Sequence, residues 1–285
     1  MITKKHSATR AKQALVVALA AFGVCAGAAT GAYADLRLEQ TEVETGAPTP
    51  AGANAKPVKP ITKKLTVFYK GDKRRIESDG VVTLYDAATE MTTYLDPRKK
   101  TYFTLAATGQ AASSGNPLID MSNFVGEATV IDTQEQKSIA GKTARHYTYA
   151  ITVTLVPKDA GVPANIRLLL PTFLVTGDQW TADMPDGVAA AKLRTATFMQ
   201  RFPPASAKGL APVLEKMATI KGVALEGTQS FRITVSDLAP QEMRASIPKE
   251  PVVTQTRTTT LSEAALPDAL FAVPKDYKKV TAPAS

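Results

Sequence analysis

Residues 63–105 read KKLTVFYKGDKRRIESDGVVTLYDAATEMTTYLDPRKKTYFTL, and the punctuation of this stretch decides the fold. Five short runs (63–70, 74–78, 81–86, 91–96 and 101–105) are separated by Gly71-Asp72, Asp79-Gly80, Ala87-Ala88 and Asp96-Pro97, breaks placed where hairpins need them. Connections this short make neighbouring strands antiparallel, because a parallel pair needs a crossover of about a dozen residues or more. The stretch predicts a meander.

Upstream, Asp35 to Glu44 alternates apolar and polar residues and predicts one more strand. Between it and the meander, Gly46 to Pro60 is rich in Pro, Ala and Gly. It is either a long loop at a hairpin tip or a linker that leaves the first ten residues loosely attached. Downstream, a soft stretch from Thr108 to Pro117 precedes longer strands at Phe124–Gln134 and Thr143–Leu155, joined near Ala140-Gly141. In the second of these, Tyr147, Tyr149, Ile151, Val153 and Leu155 fall on one face; His146, Thr148, Thr152 and Thr154 fall on the other. Ile166 to Val175 carries Pro171 and predicts a bent or edge strand.

After Trp180 the period changes. Val188–Gln200 is alanine-rich without alternation. Leu210, Val213, Leu214 and Met217 recur at helical spacing, Ile220 extends the stripe, and Gly222 stands at the C-cap position. Strands resume at Leu225–Asp237 and Val252–Leu261, ahead of a turn-rich C-terminus. Two amphipathic helices must bury their stripes, and one face of the sheet is the large apolar surface available to them. The order therefore predicts an α+β, β-rich fold: a strongly curved antiparallel sheet, an unclosed half-barrel, with two helices on its concave face. One domain, 35–285, is expected, with the helices in an insert at 187–221.

Residues 1–34 have the three-part build of a signal peptide. Lys4, Lys5, Arg10 and Lys12 precede an apolar run of 11 residues, Ala14 to Val24, too short to span a bilayer; Ala32-Tyr33-Ala34 then offers a cleavage site. Val24 is not the small residue that lipid modification of Cys25 wants in front of it. Cleavage after Ala34 would leave 251 of the 285 residues and lower the net charge from +8 to +4, since the four lost charges are basic. It would also leave one histidine and no cysteine, which excludes a disulfide framework. The expected destination is the periplasm, with an extracellular or outer-membrane-associated location as the alternatives. The remaining basic residues form no clustered stripe, which argues against nucleic acid as a partner.

Two stretches carry a family resemblance. The first is Val67-Phe68-Tyr69-Lys70-Gly71-Asp72-Lys73-Arg74-Arg75-Ile76-Glu77, continued by Tyr85-Asp86, Tyr94-Leu95-Asp96-Pro97 and Lys99-Lys100-Thr101-Tyr102. The second is the ending Leu266-Pro267-Asp268-Ala269-Leu270-Phe271-Ala272-Val273-Pro274-Lys275-Asp276-Tyr277. Together they resemble exported bacterial proteins of the LolA-like, outer-membrane lipoprotein-sorting type. The resemblance implies a half-barrel sheet wrapped around helices, with a cavity that shields lipid chains or lipoprotein acyl groups. Its motifs are structural signatures rather than catalytic ones.

The catalytic inventory is sparse. His146, on the threonine-rich face, reads as a solvated strand histidine. One histidine without cysteine makes a zinc site or a nucleophilic triad improbable. Asp178, Asp183 and Asp186 flank Trp180 at no calcium-loop spacing and are explained more simply as turn and cap residues. Asp72, Lys73, Arg74 and Arg75 read as a charged hairpin corner that resists strand pairing, or as a docking patch for an acidic partner. No cofactor motif is present. An apolar pocket remains, with Val67, Tyr69, Tyr147, Tyr149, Ile151 and Val153 on the sheet and Leu210, Leu214 and Met217 on the helix. The same residues would also make an ordinary core. The expectation is a monomeric, non-enzymatic protein binding a lipid, an acyl chain or an acylated lipoprotein. The alternatives are an envelope interaction module with a filled core and an envelope-protein partner, or, remotely, a carboxylate hydrolase.

Overall fold

The structure, a computed structural model, describes residues 35–46, 59–106, 124–155, 170–184, 207–248 and 250–282. The signal-peptide reading of Met1–Ala34, the helix expected at Val188–Gln200 and the stretch Thr108–Pro117 lie outside these residues. Among the described residues twelve strands make one sheet. They are β1 (Leu36–Thr45), β2 (Ile61–Lys70), β3 (Lys73–Ser78), β4 (Val81–Asp86), β5 (Met91–Asp96), β6 (Thr101–Ala106), β7 (Phe124–Ile139), β8 (Lys142–Leu155), β9 (Thr172–Ala182), β10 (Val223–Thr234), β11 (Val252–Glu263) and β12 (Lys278–Lys279). Their spatial order is β12-β6-β5-β4-β3-β2-β1-β11-β10-β9-β8-β7, which leaves the sheet unclosed.

The meander is present from β2 to β6, with every pairing antiparallel. β1 pairs with β2 across the Gly46–Pro60 stretch, so the hairpin reading of that stretch holds and the loose-linker reading does not. β1 is also central, because its other edge pairs with β11, the last long strand. β9 begins directly after Pro171, where the missing N–H costs no ladder bond.

The sheet is curved, and bulges help curve it. The register slips between Glu39 and Gln40, between Ala224 and Glu226, and between Asp132 and Gln136; each slip adds local twist and bend. Lys137 of β7 reaches Glu226 of β10 at 2.6 Å, and Lys142 of β8 pairs with Glu263 of β11. Each ion pair crosses three strand intervals, about 14 Å in a flat sheet. Such pairs close because the sheet rolls.

Two helices are described. The first, α1 (Ala207–Met217), matches the predicted stripe: Leu210, Val213, Met217 and the following Ile220 are buried against Phe124, Tyr147, Tyr149, Ile151, Val153, Leu155 and Val175. Gly126 of β7 makes room, since a Cβ there would lie 2.6 Å from Val213 and 2.9 Å from Leu210. Gly222 takes φ +82 just after α1, the left-handed geometry expected beyond a helix end. The second helix, α2 (Gln241–Ser246), lies outside the predicted helical insert, and its residues 241–245 are exposed. The described chain thus shows one helix packed on the sheet.

The C-terminal stretch is turn-rich, as expected, and it is also packed on the sheet. It packs over Val82, Leu84, Leu95 and Tyr102 with Val273 and Tyr277, and ends as β12, parallel to β6. A 3-10 turn at Asp268–Phe271 presents the Leu270 carbonyl to Arg75 Nη1 at 2.8 Å. Two ion pairs pin the segment, Lys70–Asp268 at 2.9 Å and Lys100–Asp276 at 2.8 Å. Hydrogen bonds to these lysines hold both aspartates below their ordinary 3.8 and, reciprocally, raise both lysines above 10.5. The carboxylate contribution is present above pH 3.8 and lost as pH falls through the depressed values; the lysine contribution is present below pH 10.5 and lost as pH rises through the raised ones. NMR of the Val273 methyls and Tyr277 ring should show this segment loosening first at both pH extremes. A segment unchanged until global unfolding contradicts the clamp.

Candidate functional site

Strand alternation decides which side chains share a face. β1 pairs Leu36, Leu38, Gln40 and Glu42 with Tyr69, Val67, Leu65 and Lys63 of β2, and Tyr69 pairs with Arg74 of β3. The apolar start of β1 is buried completely: Leu36 and Leu38 are both 0% exposed. Its second half continues in the same phase with Gln40, Glu42 and Glu44, polar residues on the face where the core would be. At the other end of the sheet, Tyr149 and Ile151 of β8 pair with Gly177 and Val175 of β9.

These faces meet around a cavity of about 400 Å³. Its walls include Arg74 of β3 and Ile151 of β8, six strand intervals apart and about 29 Å in a flat sheet. Glycines thin the side-chain layer here. Gly227 carries no side chain on the cavity wall, and the Tyr149 ring leans over Gly177, its hydroxyl 2.6 Å from where a Cβ would stand.

Five of the nine predicted pocket residues line the cavity: Tyr69, Tyr149, Ile151, Leu214 and Met217. The other four are core. Val67 is 1% exposed beside Leu36, Leu38 and Tyr69, whereas Tyr147, Val153 and Leu210 belong to the cluster beneath α1. Periodicity marks an inward side chain, but it does not say whether a neighbour fills the space above it.

Beside Leu65 and Ala224, most of the missed residues are polar: Gln40, Glu42, Glu44, Arg74, Asp178, Gln179 and Glu226 all line the cavity. Most of the carboxylates have cations. Lys63 lies 3.7 Å from Glu44 and 3.9 Å from Glu42, and Lys137 holds Glu226. Asp178 faces His146 Nε2 at 3.7 Å. Arg74 differs. Among the described residues no carboxylate lies within ion-pair distance of it, its Nε is buried without a hydrogen-bond partner, and its guanidinium stands 5.6 Å from the Tyr69 ring centroid. Burial pulls its pKa below the usual guanidinium value. The charged hairpin corner expected at 72–75 is therefore split. Asp72 and Lys73 are exposed, Arg75 turns to Glu77 and Leu270 on the opposite face, and Arg74 points to the cavity.

Two further expectations are corrected. Gly177-Asp178 is mid-strand in β9 rather than a turn, since the glycine gives room to Tyr149. Asp183 is exposed beyond the strand end, and Asp186 lies outside the described residues. His146 does occupy the face opposite the tyrosines, yet it is not solvated: its side chain is 16% exposed. Its ring stacks on Trp180 at 4.4 Å, and Nδ1 lies 3.1 Å from Glu135 and 3.2 Å from Thr133. Lys137 Nζ lies 4.2 Å from the centroid of the Trp180 ring. At 3.7 Å, Asp178 is too far from Nε2 for the hydrogen bond that would orient a catalytic histidine. Among the described residues no three His, Cys, Asp or Glu side chains gather as metal ligands would.

No family model and no curated protein matches this sequence.

Proposed function

We propose that this chain is an exported, LolA-like envelope protein, acting in the periplasm. In this reading it binds a lipid or acyl chain, free or carried by an acylated lipoprotein, between the concave face of its sheet and α1, and it catalyses no reaction. One observation carries the reading: a cavity of about 400 Å³ where Leu214 and Met217 of the helix face Tyr149, Ile151 and Tyr69 of the sheet. That volume lies in the range of small-molecule sites, and here polar side chains share the wall with the apolar ones. The apolar wall supplies the driving force, roughly 25 cal/mol for each Å² of hydrocarbon taken out of water.

Native mass spectrometry of gently purified mature protein, with solvent extraction, should find a bound lipid, and the protein should take up a fluorescent fatty acid. A protein that carries no lipid and takes up no fatty acid overturns the reading. The tight packing of Val67, Val153 and Leu210, each at most 1% exposed, favours the second reading, an interaction module with a filled core. Crosslinking would then capture an envelope-protein partner while the cavity stays empty.

A further inference from the structure

The cavity is not lined as a hydrocarbon chamber alone would be. Arg74 is the sole basic residue among the described residues that line it, and no carboxylate among them lies within ion-pair distance of it. The carboxylates Glu42, Glu44 and Glu226 are engaged by Lys63 and Lys137, which stand outside the lining. A cation taken out of water is costly unless it is paired. Arg74 is half-buried: the Tyr69 ring faces its guanidinium, and no acceptor meets its buried Nε. Across the cavity, Gln179 Oε1 is also buried without a partner. Beside these two polar groups lies the apolar wall of Leu214, Met217 and Ile151.

Resting on the reading of this cavity as a lipid site, we infer that its ligand is a single-tailed amphiphile with one negative charge, a long-chain carboxylate, with its headgroup at Arg74 and its tail along α1. A carboxylate supplies what the guanidinium lacks, an anionic acceptor, and a planar fork suits it. Its single charge fits a cavity wall that already carries the carboxylates of Glu42 and Glu44, where a second negative charge would be repelled. The alkyl tail then covers the helix side chains that face the opening. Gln179 Oε1, itself an acceptor, is left for a hydroxyl on the ligand and not for its carboxylate.

The test compares dodecanoate with dodecanol by calorimetry on the mature protein, together with Arg74→Met and Arg74→Lys variants. Wild type should bind dodecanoate about tenfold or more tightly than dodecanol, the gain of a charge-assisted hydrogen bond. Arg74→Met should bring dodecanoate to the level of dodecanol, and Arg74→Lys should recover part of the difference. Acetate at the same concentration should not displace dodecanoate, since it has no tail. Equal binding of acid and alcohol by wild type, or a preference that survives Arg74→Met, overturns the headgroup assignment while the lipid cavity stands. Binding of neither amphiphile removes the cavity reading itself. If Arg74→Met does not fold, as a thermal melt would reveal, the wild-type comparison of acid with alcohol decides alone.

Discussion

A Gly209→Ala protein unfolds at a clearly lower urea concentration than wild type, with a net loss of about 3 kcal/mol. Helix propensity alone gives the opposite sign, since alanine in place of glycine inside a helix gains about 1 kcal/mol. The structure reverses the sign because Gly209 sits in the first turns of α1, directly against the backbone of β7. A Cβ there would fall inside the van der Waals envelope of the Phe124 carbonyl oxygen. A carbonyl in a paired strand has no rotamer with which to escape, so the helix must lift. Lifting α1 loosens Leu210, Val213, Met217 and Ile220, four buried side chains worth roughly 1.5–3 kcal/mol each when fully covered. Urea denaturation followed by circular dichroism measures the difference; an unchanged or higher midpoint would show that α1 does not press on β7 as described.

The second large effect belongs to β1. Leu38→Ala removes a side chain with 0% exposure, set between Val67 on β2 and Leu261 on β11. Large-to-small changes at such sites cost about 2–5 kcal/mol, through lost transfer energy and the hole left behind. Because β1 joins the meander to the other half of the sheet, both halves should weaken together. Hydrogen exchange should show loss of protection on β3–β5 and on β9–β10 alike. Loss confined to one side would mean that the halves are separate folding units.

The legible parts of the fold were the local ones. Gly71, Gly80 and Gly141 all carry positive φ at the turns their neighbours implied, and the strands between them begin and end within a few residues of expectation. The pairing of β1 with β11 was not legible, because nothing in alternation names a partner so far along the chain. Asp178 was misread because Gly-Asp is ordinarily turn chemistry, whereas Gly177 is required by the ring of Tyr149. The polar side of the cavity left a trace that could have been followed: Gln40, Glu42 and Glu44 keep the phase set by Leu36 and Leu38. Arg74 likewise keeps the phase of Ile76. Polar residues in step with core residues are how a wet recess inside a sheet is written in sequence, and their charge hid them among surface residues.

The seam between first and last long strands bears on how the molecule is made. Thr259 donates its hydroxyl hydrogen bond to the Glu39 carbonyl, 220 positions earlier. A ribosome delivers β1 far ahead of β11, so one edge of the earlier strand waits unoccupied while the intervening chain is made. Closing so long a loop is entropically slow. Until β11 arrives, any chaperone that attends the nascent polypeptide has that exposed edge to guard.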